Sequence, residues 1–264
     1  MRIIDIHAHI YPDAIAGRAV DAIGSFYHFP MEMDGTVDTL LAQSAQAGIS
    51  LSCTHSAAVT PTHVEHINTF LMEAAAAHPD RILPCGTMHP DFPNVADELD
   101  RIQALGARAV KLHPDFQRFC LDGEKALSMF AAIAQRDLAA IVHVGDTRYP
   151  YSQPARMARV LRRVPRLKAV CAHLGGWSEW TEGWRDLSQL PNAWVDTSSS
   201  LYALSPETAV EIIRRYGAHR ALFGTDYPMW TPQGELERFM RLPLTDQERE
   251  RILHGSAEEL FALE

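Results

Sequence analysis

The chain has 264 residues, of which 47 % are hydrophobic and 22 % are charged, and its formal net charge at pH 7 is −9. This composition excludes an intrinsically disordered chain, and a globular chain of this length buries roughly three quarters of its unfolded surface without disulfide staples. The acidic balance gives no electrostatic reason to bind nucleic acid or an anionic membrane surface. We therefore expect a soluble globular protein whose partner is a small molecule.

The apolar runs and the cysteines both argue against export. Asp5 interrupts the first apolar run, Ile3 to Ile6, and no later run approaches the roughly 18 apolar residues of a membrane span. The four cysteines are widely scattered, without a Cys-x-x-Cys pair, in a chain too large to depend on disulfides. We expect reduced thiols, no membrane insertion and a cytoplasmic location.

Short β-branched apolar runs alternate with longer segments of helical periodicity, which is the pattern of repeated βα units. The predicted strands are Arg2 to Ile6, Ile49 to Ala57, Ile82 to Thr87, Ala107 to Leu112, Ala139 to Val144, Leu167 to Ala172, Ala193 to Thr197 and Ala221 to Gly224. Eight strands with about as many helices in roughly 250 residues are typical of a (β/α)8 TIM barrel. A doubly wound sheet is the alternative, but its Gly-x-Gly-x-x-Gly after the first strand is absent. We predict one α/β barrel domain over residues 1–264.

Most predicted helices have recognisable first residues. Thr36 can cap a helix through Gln46, and Ser205 with Pro206 begins one that ends near Tyr216. Thr245 caps a last helix to Leu263, with Glu248 completing a capping box. The other predicted helices are Thr60–Ala77, Val95–Leu105 after Asn94, Glu124–Arg136 after Asp122, Pro154–Arg163 and a weaker one within Trp180–Leu190.

The longest stretch without helix or strand signals is residues 10–35. Loops of this length are usually lids or binding loops. Because Phe26, Tyr27 and His28 lie in its middle, we predict an irregular lid loop that covers the functional site.

Two histidines, His7 and His9, stand two residues apart at the end of the first predicted strand. Side chains alternate faces along a strand, so both imidazoles can point the same way and clamp a metal ion. On a helix the same clamp would need a spacing of four. Asp5 is expected to support this clamp from behind, as a partner of the ligands and not as a ligand.

Further metal-binding side chains end three other predicted strands: His143, His173 and Asp226. Active-site groups of a barrel sit at the C-terminal ends of several strands, so these side chains should converge on His7 and His9. Three histidines and a carboxylate suit zinc or another first-row divalent ion with one open position for water. His55 and His89 follow the second and third strands, so they could line the same mouth, but each alone is more often a loop histidine.

The motifs that carry this chemistry resemble the amidohydrolase superfamily, and within it the amidohydrolase-2 group related to aminocarboxymuconate-semialdehyde decarboxylase. The matching segments are Asp5-Ile-His-Ala-His9, Val110-Lys-Leu-His-Pro114, Val142-His143, Ala172-His-Leu-Gly-Gly176, Arg220-Ala-Leu-Phe-Gly-Thr-Asp-Tyr-Pro228 and Ile252-Leu-His-Gly-Ser-Ala257. They span nearly the whole chain in the family's order. The resemblance implies a distorted barrel of the amidohydrolase type.

The resemblance also implies roles for individual residues. His7, His9, His143 and Asp226 would hold one divalent metal, zinc in the first place and manganese as the alternative, and His173 would act beside it as an acid/base or polarising group. Asp226 would also orient or deprotonate the attacking water. Lys111 with His113 leaves a second metal open, because binuclear relatives carry a bridging lysine or glutamate on the fourth strand.

The implied activity is metal-dependent hydrolysis of an amide, a lactone or a related C–N or C–O bond by metal-activated water. The alternative on the same scaffold is non-oxidative decarboxylation of an aromatic or unsaturated carboxylic acid. A metal-free lactonase and a non-catalytic metal-binding protein are further alternatives. Family resemblance also allows a homodimer.

Candidate substrate contacts follow several strands. His113 either faces the pocket or packs under Pro114, and Arg148 can pair with a substrate carboxylate or lie solvated in its loop. A pocket mouth rich in aromatic rings suits a flat substrate. The aromatic candidates are Trp177, Tyr202 and Trp230.

Overall fold

A computed structural model describes residues 2–263, in which eight parallel strands follow one another around a barrel in the order β1 to β8. The strands are β1 (Ile4–His9), β2 (Leu51–His55), β3 (Ile82–Thr87), β4 (Ala109–Leu112), β5 (Ala139–Val142), β6 (Lys168–Cys171), β7 (Ala193–Asp196) and β8 (Ala221–Leu222). The segment after β8 closes the barrel onto β1, because Ile6 N–H donates to the Phe223 carbonyl at 3.0 Å and Asp226 N–H donates to the His7 carbonyl at 2.8 Å.

Helices connect the strands and cover the outside of the barrel. They are α1 (Asp13–Tyr27), α2 (Val37–Gln46), α3 (Val64–Ala77), α4 (Val95–Ala104), α5 (Pro114–Gln117), α6 (Glu124–Gln135), α7 (Pro154–Arg163), α8 (Trp184–Ser188), α9 (Pro206–Tyr216), α10 (Pro232–Met240), α11 (Asp246–Glu250) and α12 (Ser256–Phe261). Short 3-10 turns span Pro61–His63, His173–Gly175 and Ala218–Arg220, and a π turn over Arg251–Gly255 joins α11 to α12. No helix within residues 2–263 is both long and apolar enough to cross a membrane.

The predicted barrel and all eight strands are confirmed, with strand ends that differ by a few residues. Thr36, Ser205 and Thr245 cap α2, α9 and α11 with their side chains, as predicted, and the Thr245 capping box is complete. Asp122 does not cap α6, which begins after Gly123. Its carboxylate instead accepts hydrogen bonds from arginines of α7, because two cations outweigh a single backbone N–H as partners.

Two predicted segments differ from the structure. The last helix is not continuous, since the π turn separates α11 from α12. Residues 10–35 are not an irregular loop, because α1 occupies 15 of them. Gly17, Gly24 and the absence of a capping side chain at Pro12 left this helix without an ordinary start signal. The lid role of the segment stays a prediction, and Ile23, Tyr27 and Met31 line the cavity described below.

The barrel has two apolar cores that meet at the sheet. Inward side chains such as Ile4, Ile6 and Val170 fill the barrel and pack on α12 through Leu260 and Phe261. A larger core lies between the outer faces of the strands and the surrounding helices. Because the filling of the barrel is mostly apolar, most of its histidines and Asp226 collect at the C-terminal ends of the strands.

Candidate metal centre and active site

A cavity with about 360 Å³ of empty space lies at the C-terminal ends of the strands. Its polar lining is His7, His9, Lys111, His113, His143, His173 and Asp226, and its apolar and aromatic lining is Ile23, Tyr27, Met31, Phe116, Pro228 and Met229. Groups from strands far apart in sequence thus face one space, which is the usual place of an active site in a barrel. The structure brings together all five residues expected to form the metal centre and its acid/base group.

Asp226 joins the two histidines of β1. Its Oδ1 lies 3.4 Å from His7 Nε2 and 3.4 Å from His9 Nε2. The backbone of Asp226 is in the left-handed region, at φ 61°, and its N–H donates to the His7 carbonyl, so the chain turns the carboxylate back over the end of β1. One oxygen and two imidazole nitrogens therefore converge on one point.

His143 and His173 form the other half of the cluster. Nδ1 of His143 lies 3.0 Å from Nε2 of His173, and the two rings meet edge to face. His143 follows β5 directly, and His173 starts the 3-10 turn after β6 with φ 60°. The left-handed backbone here aims His173 at its neighbour instead of along the strand.

In each of three of these histidines, one ring nitrogen is hydrogen-bonded to a fixed acceptor. His7 Nδ1 is bound by Asp196 Oδ2 at 2.9 Å, His143 Nε2 by the Gly145 carbonyl at 3.1 Å and His173 Nδ1 by the Ser198 carbonyl at 3.0 Å. A histidine that donates from one nitrogen presents the other as a lone pair. This pattern is the one that orients metal-binding imidazoles in proteins.

The protonation states of the cluster suit metal binding. Burial lowers the pKa of both His9 and His173 to about 4 and that of His143 well below its usual range, so these rings are neutral near pH 7. Burial alone would raise the pKa of Asp226, but the surrounding histidines, His7 first among them, hold it well below its usual range. Neutral imidazoles with an ionised carboxylate are the ligand forms that a first-row divalent cation requires.

Lys111 provides independent evidence that this site suits a cation. Its side chain is fully buried, and its Nζ lies 2.7 Å from His7 Nε2. This nitrogen carries the lone pair, because the other ring nitrogen of His7 donates its proton to Asp196. An ammonium group therefore occupies a position suited to a cation. Burial also lowers the pKa of Lys111 to about 8. A second metal at Lys111 and His113 stays the open alternative to the predicted single ion.

His55 belongs to the cluster, so the preferred interpretation of it as a loop histidine was wrong and the alternative, a place beside the other histidines, was the better one. It is the last residue of β2, in register with His9, and its ring lies 4.7 Å from that of His7 and 4.5 Å from that of His9. Neither of its ring nitrogens has a hydrogen-bond partner in the described part of the chain. The ligand nitrogens of His7, His9 and His55 all lie within 4.8 Å of one another. The signal that was available is its place at the end of a strand.

One further supporting residue, at the end of β7, was missed. Asp196 ends β7, where its Oδ2 binds His7 and its Oδ1 accepts the N–H groups of His173 and Ser198. Its position at a strand end, like that of Asp226, was the usable signal. Asp5 lies behind the clamp as expected, because it accepts the N–H of His7 and both N–H and O–H of Thr225.

The expected substrate contacts are only partly at the cavity. His113 lines it and stacks on His143, with ring centroids 4.0 Å apart. Arg148 does not line it, because Asp146 binds the guanidinium at 3.0 and 2.8 Å and the Phe26 carbonyl accepts from it at 2.6 Å.

The three aromatic candidates surround the cavity from outside its lining. The Trp177 ring lies 6.0 Å from that of His143. Trp230 donates to Ser199 at 2.9 Å and packs on Tyr202, which is 40 % exposed. The rings that do form the cavity wall are Tyr27 and Phe116, which the sequence had not assigned to substrate.

The fold and the cluster together define a TIM-barrel enzyme with a divalent-metal donor set. The family model for amidohydrolases matches residues 4–263, so the chain belongs to the amidohydrolase family, and the predicted resemblance is confirmed. Its members act on small molecules with a divalent metal. A comparison with curated proteins finds no significant match.

Several solved structures share the fold. The 5-carboxyvanillate decarboxylase LigW from Sphingomonas paucimobilis has 16 % identity and a TM-score of 0.78, covering 100 % of this chain and 99 % of that one. A dihydroxybenzoic acid decarboxylase from Polaromonas sp. JS666, with bound manganese and 2-nitroresorcinol, has 16 % identity and a TM-score of 0.77, covering 99 % and 97 %. A protein described as a 2-pyrone-4,6-dicarboxylic acid hydrolase from Pseudomonas putida has 20 % identity and a TM-score of 0.71, covering 99 % and 98 %.

Proposed function

We propose that this protein is a metal-dependent hydrolase of a small molecule with an amide, lactone or related C–N or C–O bond. The observation that carries the proposal is the convergence of His7, His9 and Asp226 within 3.4 Å contacts, beside His143 and His173 in one cavity. Each element needed for attack of water on a carbonyl has a candidate side chain in this space.

His7, His9, His143 and Asp226 would hold one divalent ion. We propose zinc, because three imidazoles and a carboxylate are a common zinc set, with manganese as the alternative. When bound, such an ion supplies Lewis-acid chemistry, polarising a carbonyl and making water a stronger nucleophile near neutral pH.

Asp226 is the proposed proton acceptor for the attacking water. Its carboxylate is ionised, and Oδ2 accepts a hydrogen bond from the Ser199 hydroxyl, which in turn accepts from the Trp230 indole at 2.9 Å. These two hydrogen bonds hold Oδ2 in place, and Oδ1 remains next to His7 and His9. Asp226 then passes the proton of the attacking water to the leaving group, and His173, whose neutral ring lines the cavity, is the proposed acid/base or polarising group beside it.

The cavity restricts the charge and shape of the substrate. Lys111 and Asp226 are the charged side chains in its described lining, and no arginine lines it. A substrate with several carboxylates would lack a bidentate partner, so we propose a neutral or singly charged one. The small volume and the rings of Tyr27 and Phe116 favour a flat ring.

Decarboxylation of an aromatic or unsaturated monocarboxylic acid is the second candidate. The aromatic wall and the single cationic side chain of the cavity favour it, and two of the solved structures named above are decarboxylases. In this reaction the ion held by the proposed ligands would, together with His173, bind the carboxylic acid, and a proton would take the place of the departing carbon dioxide.

One experiment tests these proposals together. The protein is purified without a metal-affinity column or chelator, its metal content is measured, and the zinc and manganese forms are assayed for acid release from lactones and amides and for carbon dioxide release from hydroxybenzoates. Asp226→Asn should lose at least about a thousandfold in turnover while keeping its circular dichroism, and exposed Asp100→Asn is the matched control. An active Asp226→Asn protein would contradict the mechanism, and product identity chooses between the two reactions.

We also propose a cytoplasmic location, supported by four free cysteines of which Cys53, Cys85 and Cys171 are buried thiols. Thiols of this kind persist in a reducing compartment. A homodimer stays a prediction that sedimentation would test.

A further inference from the structure

We propose that the Tyr27 hydroxyl donates a hydrogen bond to a carbonyl or carboxylate oxygen of the substrate, and that His113 is the positioning residue that directs this proton into the cavity. The inference deepens the proposed function, on which it rests for the existence of such an oxygen. It gives the C-terminal end of α1 a direct part in the site.

Tyr27 is the last residue of α1, and its phenol lies in the lining of the catalytic cavity. Its hydroxyl oxygen is 2.7 Å from His113 Nε2. Its ring packs edge to face on Trp177 at 5.0 Å and on Phe116 at 5.8 Å, so the hydroxyl is held in one place. Burial raises the pKa of Tyr27 well above its usual range, so the hydroxyl keeps its proton.

The direction of the hydrogen bond between Tyr27 and His113 follows from the other nitrogen of the imidazole. His113 is the N-cap of α5, and its Nδ1 accepts the Phe116 N–H at 3.3 Å. An N–H in the first turn of a helix has no intrahelical partner, so the cap needs a lone pair on Nδ1. The ring therefore carries its proton on Nε2, and this nitrogen is the donor to Tyr27.

Since the Tyr27 oxygen accepts from His113, its own proton remains available. No second hydrogen-bond partner of this hydroxyl exists among residues 2–263. Tyr27 and its partner His113 line the same cavity as His7, His143 and Asp226, where a substrate oxygen would lie. A donor fixed in advance in a buried site stabilises negative charge on such an oxygen without reorganisation.

The tautomer of His113 provides a test that needs no substrate. Long-range ¹H–¹⁵N correlation spectra of the zinc-loaded protein, with His113 assigned through a His113→Gln variant, should show Nε2 protonated and Nδ1 unprotonated. The Tyr27→Phe variant should keep this tautomer, because the Phe116 N–H still sets it. A proton on Nδ1 in the wild type would make Tyr27 the donor to His113 and overturn the proposal.

Benzoate binding is the second test, measured by calorimetry on the zinc-loaded protein. Tyr27→Phe should weaken binding about ten- to a hundredfold, the loss expected for a hydrogen bond to a charged group. Tyr149→Phe is the matched control, since Tyr149 packs on Phe26 but does not line the cavity, and it should bind like the wild type. Equal affinity of Tyr27→Phe and the wild type would overturn the proposal.

These measurements separate this inference from the proposed function. A protein inactive on both substrate panels, but with the Nε2 tautomer and the Tyr27→Phe loss, would refute the reaction and still support Tyr27 as a donor to a ligand oxygen. Turnover of a lactone with unchanged kinetics in Tyr27→Phe would support the hydrolase and refute the role of Tyr27.

Discussion

Asp196 binds Nδ1 of His7 at 2.9 Å, although the two residues lie 189 positions apart in the chain. Both side chains are fully buried, and Asp196 carries a pKa far below its usual range, since His7 outweighs the burial that would raise it. The contact fixes which His7 nitrogen donates and leaves Nε2 as a lone pair. Asp196 therefore acts on the proposed metal through His7.

Replacing Asp196 should weaken metal binding. In Asp196→Asn an amide N–H₂ can face Nδ1 and favour the tautomer with a proton on Nε2, which blocks the ligand position. We expect zinc affinity to fall about ten- to a hundredfold, measured by competition with a chromogenic chelator. Asp100→Asn, an exposed change on α4, should bind zinc like the wild type. Unchanged affinity in Asp196→Asn would remove Asp196 from the centre.

Glu235 on α10 should make stability depend on pH. It is 1 % exposed, its Oε2 has no partner in the described chain, and burial raises its pKa to about 7 from 4.5 despite the neighbouring Arg238. Between pH 4.5 and 7 the folded state keeps a proton that the unfolded state has lost, so this group makes stability fall as pH rises through that window.

Glu235→Gln should remove that slope. At pH 8 we expect the variant to be more stable by about 1–3 kcal/mol, with little difference at pH 4, as measured by urea unfolding. Glu237→Gln on the exposed side of the same helix is the control. A variant less stable than the wild type at pH 8 would show that the ion pair with Arg238 outweighs the burial.

Gly145 should not tolerate a side chain. Its φ is +85°, and a Cβ there would lie 2.7 Å from backbone atoms of Gly176 and Trp177. Gly48 offers a matched comparison, with φ +74° but no atom within 4 Å of the added Cβ. Gly48→Ala should cost about 1 kcal/mol for the left-handed backbone, whereas Gly145→Ala should cost about 3–5 kcal/mol in urea unfolding. A similar loss of stability in the two variants would mean that the loop carrying Gly176 moves to make room for the added Cβ.

Arg148 should stabilise α1 and not bind substrate. Its guanidinium binds Asp146, donates to the Phe26 carbonyl at 2.6 Å and lies 4.6 Å from the centre of the Phe26 ring. Arg148→Ala should therefore speed amide exchange in residues 20–27 about tenfold, measured by hydrogen–deuterium exchange mass spectrometry. Arg185→Ala, which removes a surface arginine from α8, is the control. Unchanged exchange with a raised KM would restore Arg148 as a substrate contact.

Local signals carried the prediction of the barrel and of much of the site. The alternation of apolar runs marked all eight strands, and the period of two placed His7 and His9 on one face of β1. His143, His173 and Asp226 were found because each ends an apolar run, and the ends of parallel strands meet. These inferences need only the order of residues along one strand and the topology of the barrel.

Other residues depended on which strands lie side by side. His55 joins the cluster because the register of β1 and β2 sets it opposite His9, and Asp196 joins it because β7 places its carboxylate beside His7. Arg148 does not line the cavity, because Asp146 and the Phe26 carbonyl at the end of α1 bind its guanidinium. A strand end marks His55 and Asp196 as candidates, but register and competition between partners are properties of the packed chain, and they decide which neighbour each side chain contacts.

The sequence by itself determined the fold class, the strands and the side chains available for a metal, because periodicity and strand ends are local properties. Only the tertiary structure decided the helix at residues 13–27, the hydrogen bonds that fix the ring nitrogens of the histidines, and the place of Tyr27 in the cavity. The physical reason is that a hydrogen bond forms between groups that packing brings to about 3 Å, and that distance is set by the whole barrel.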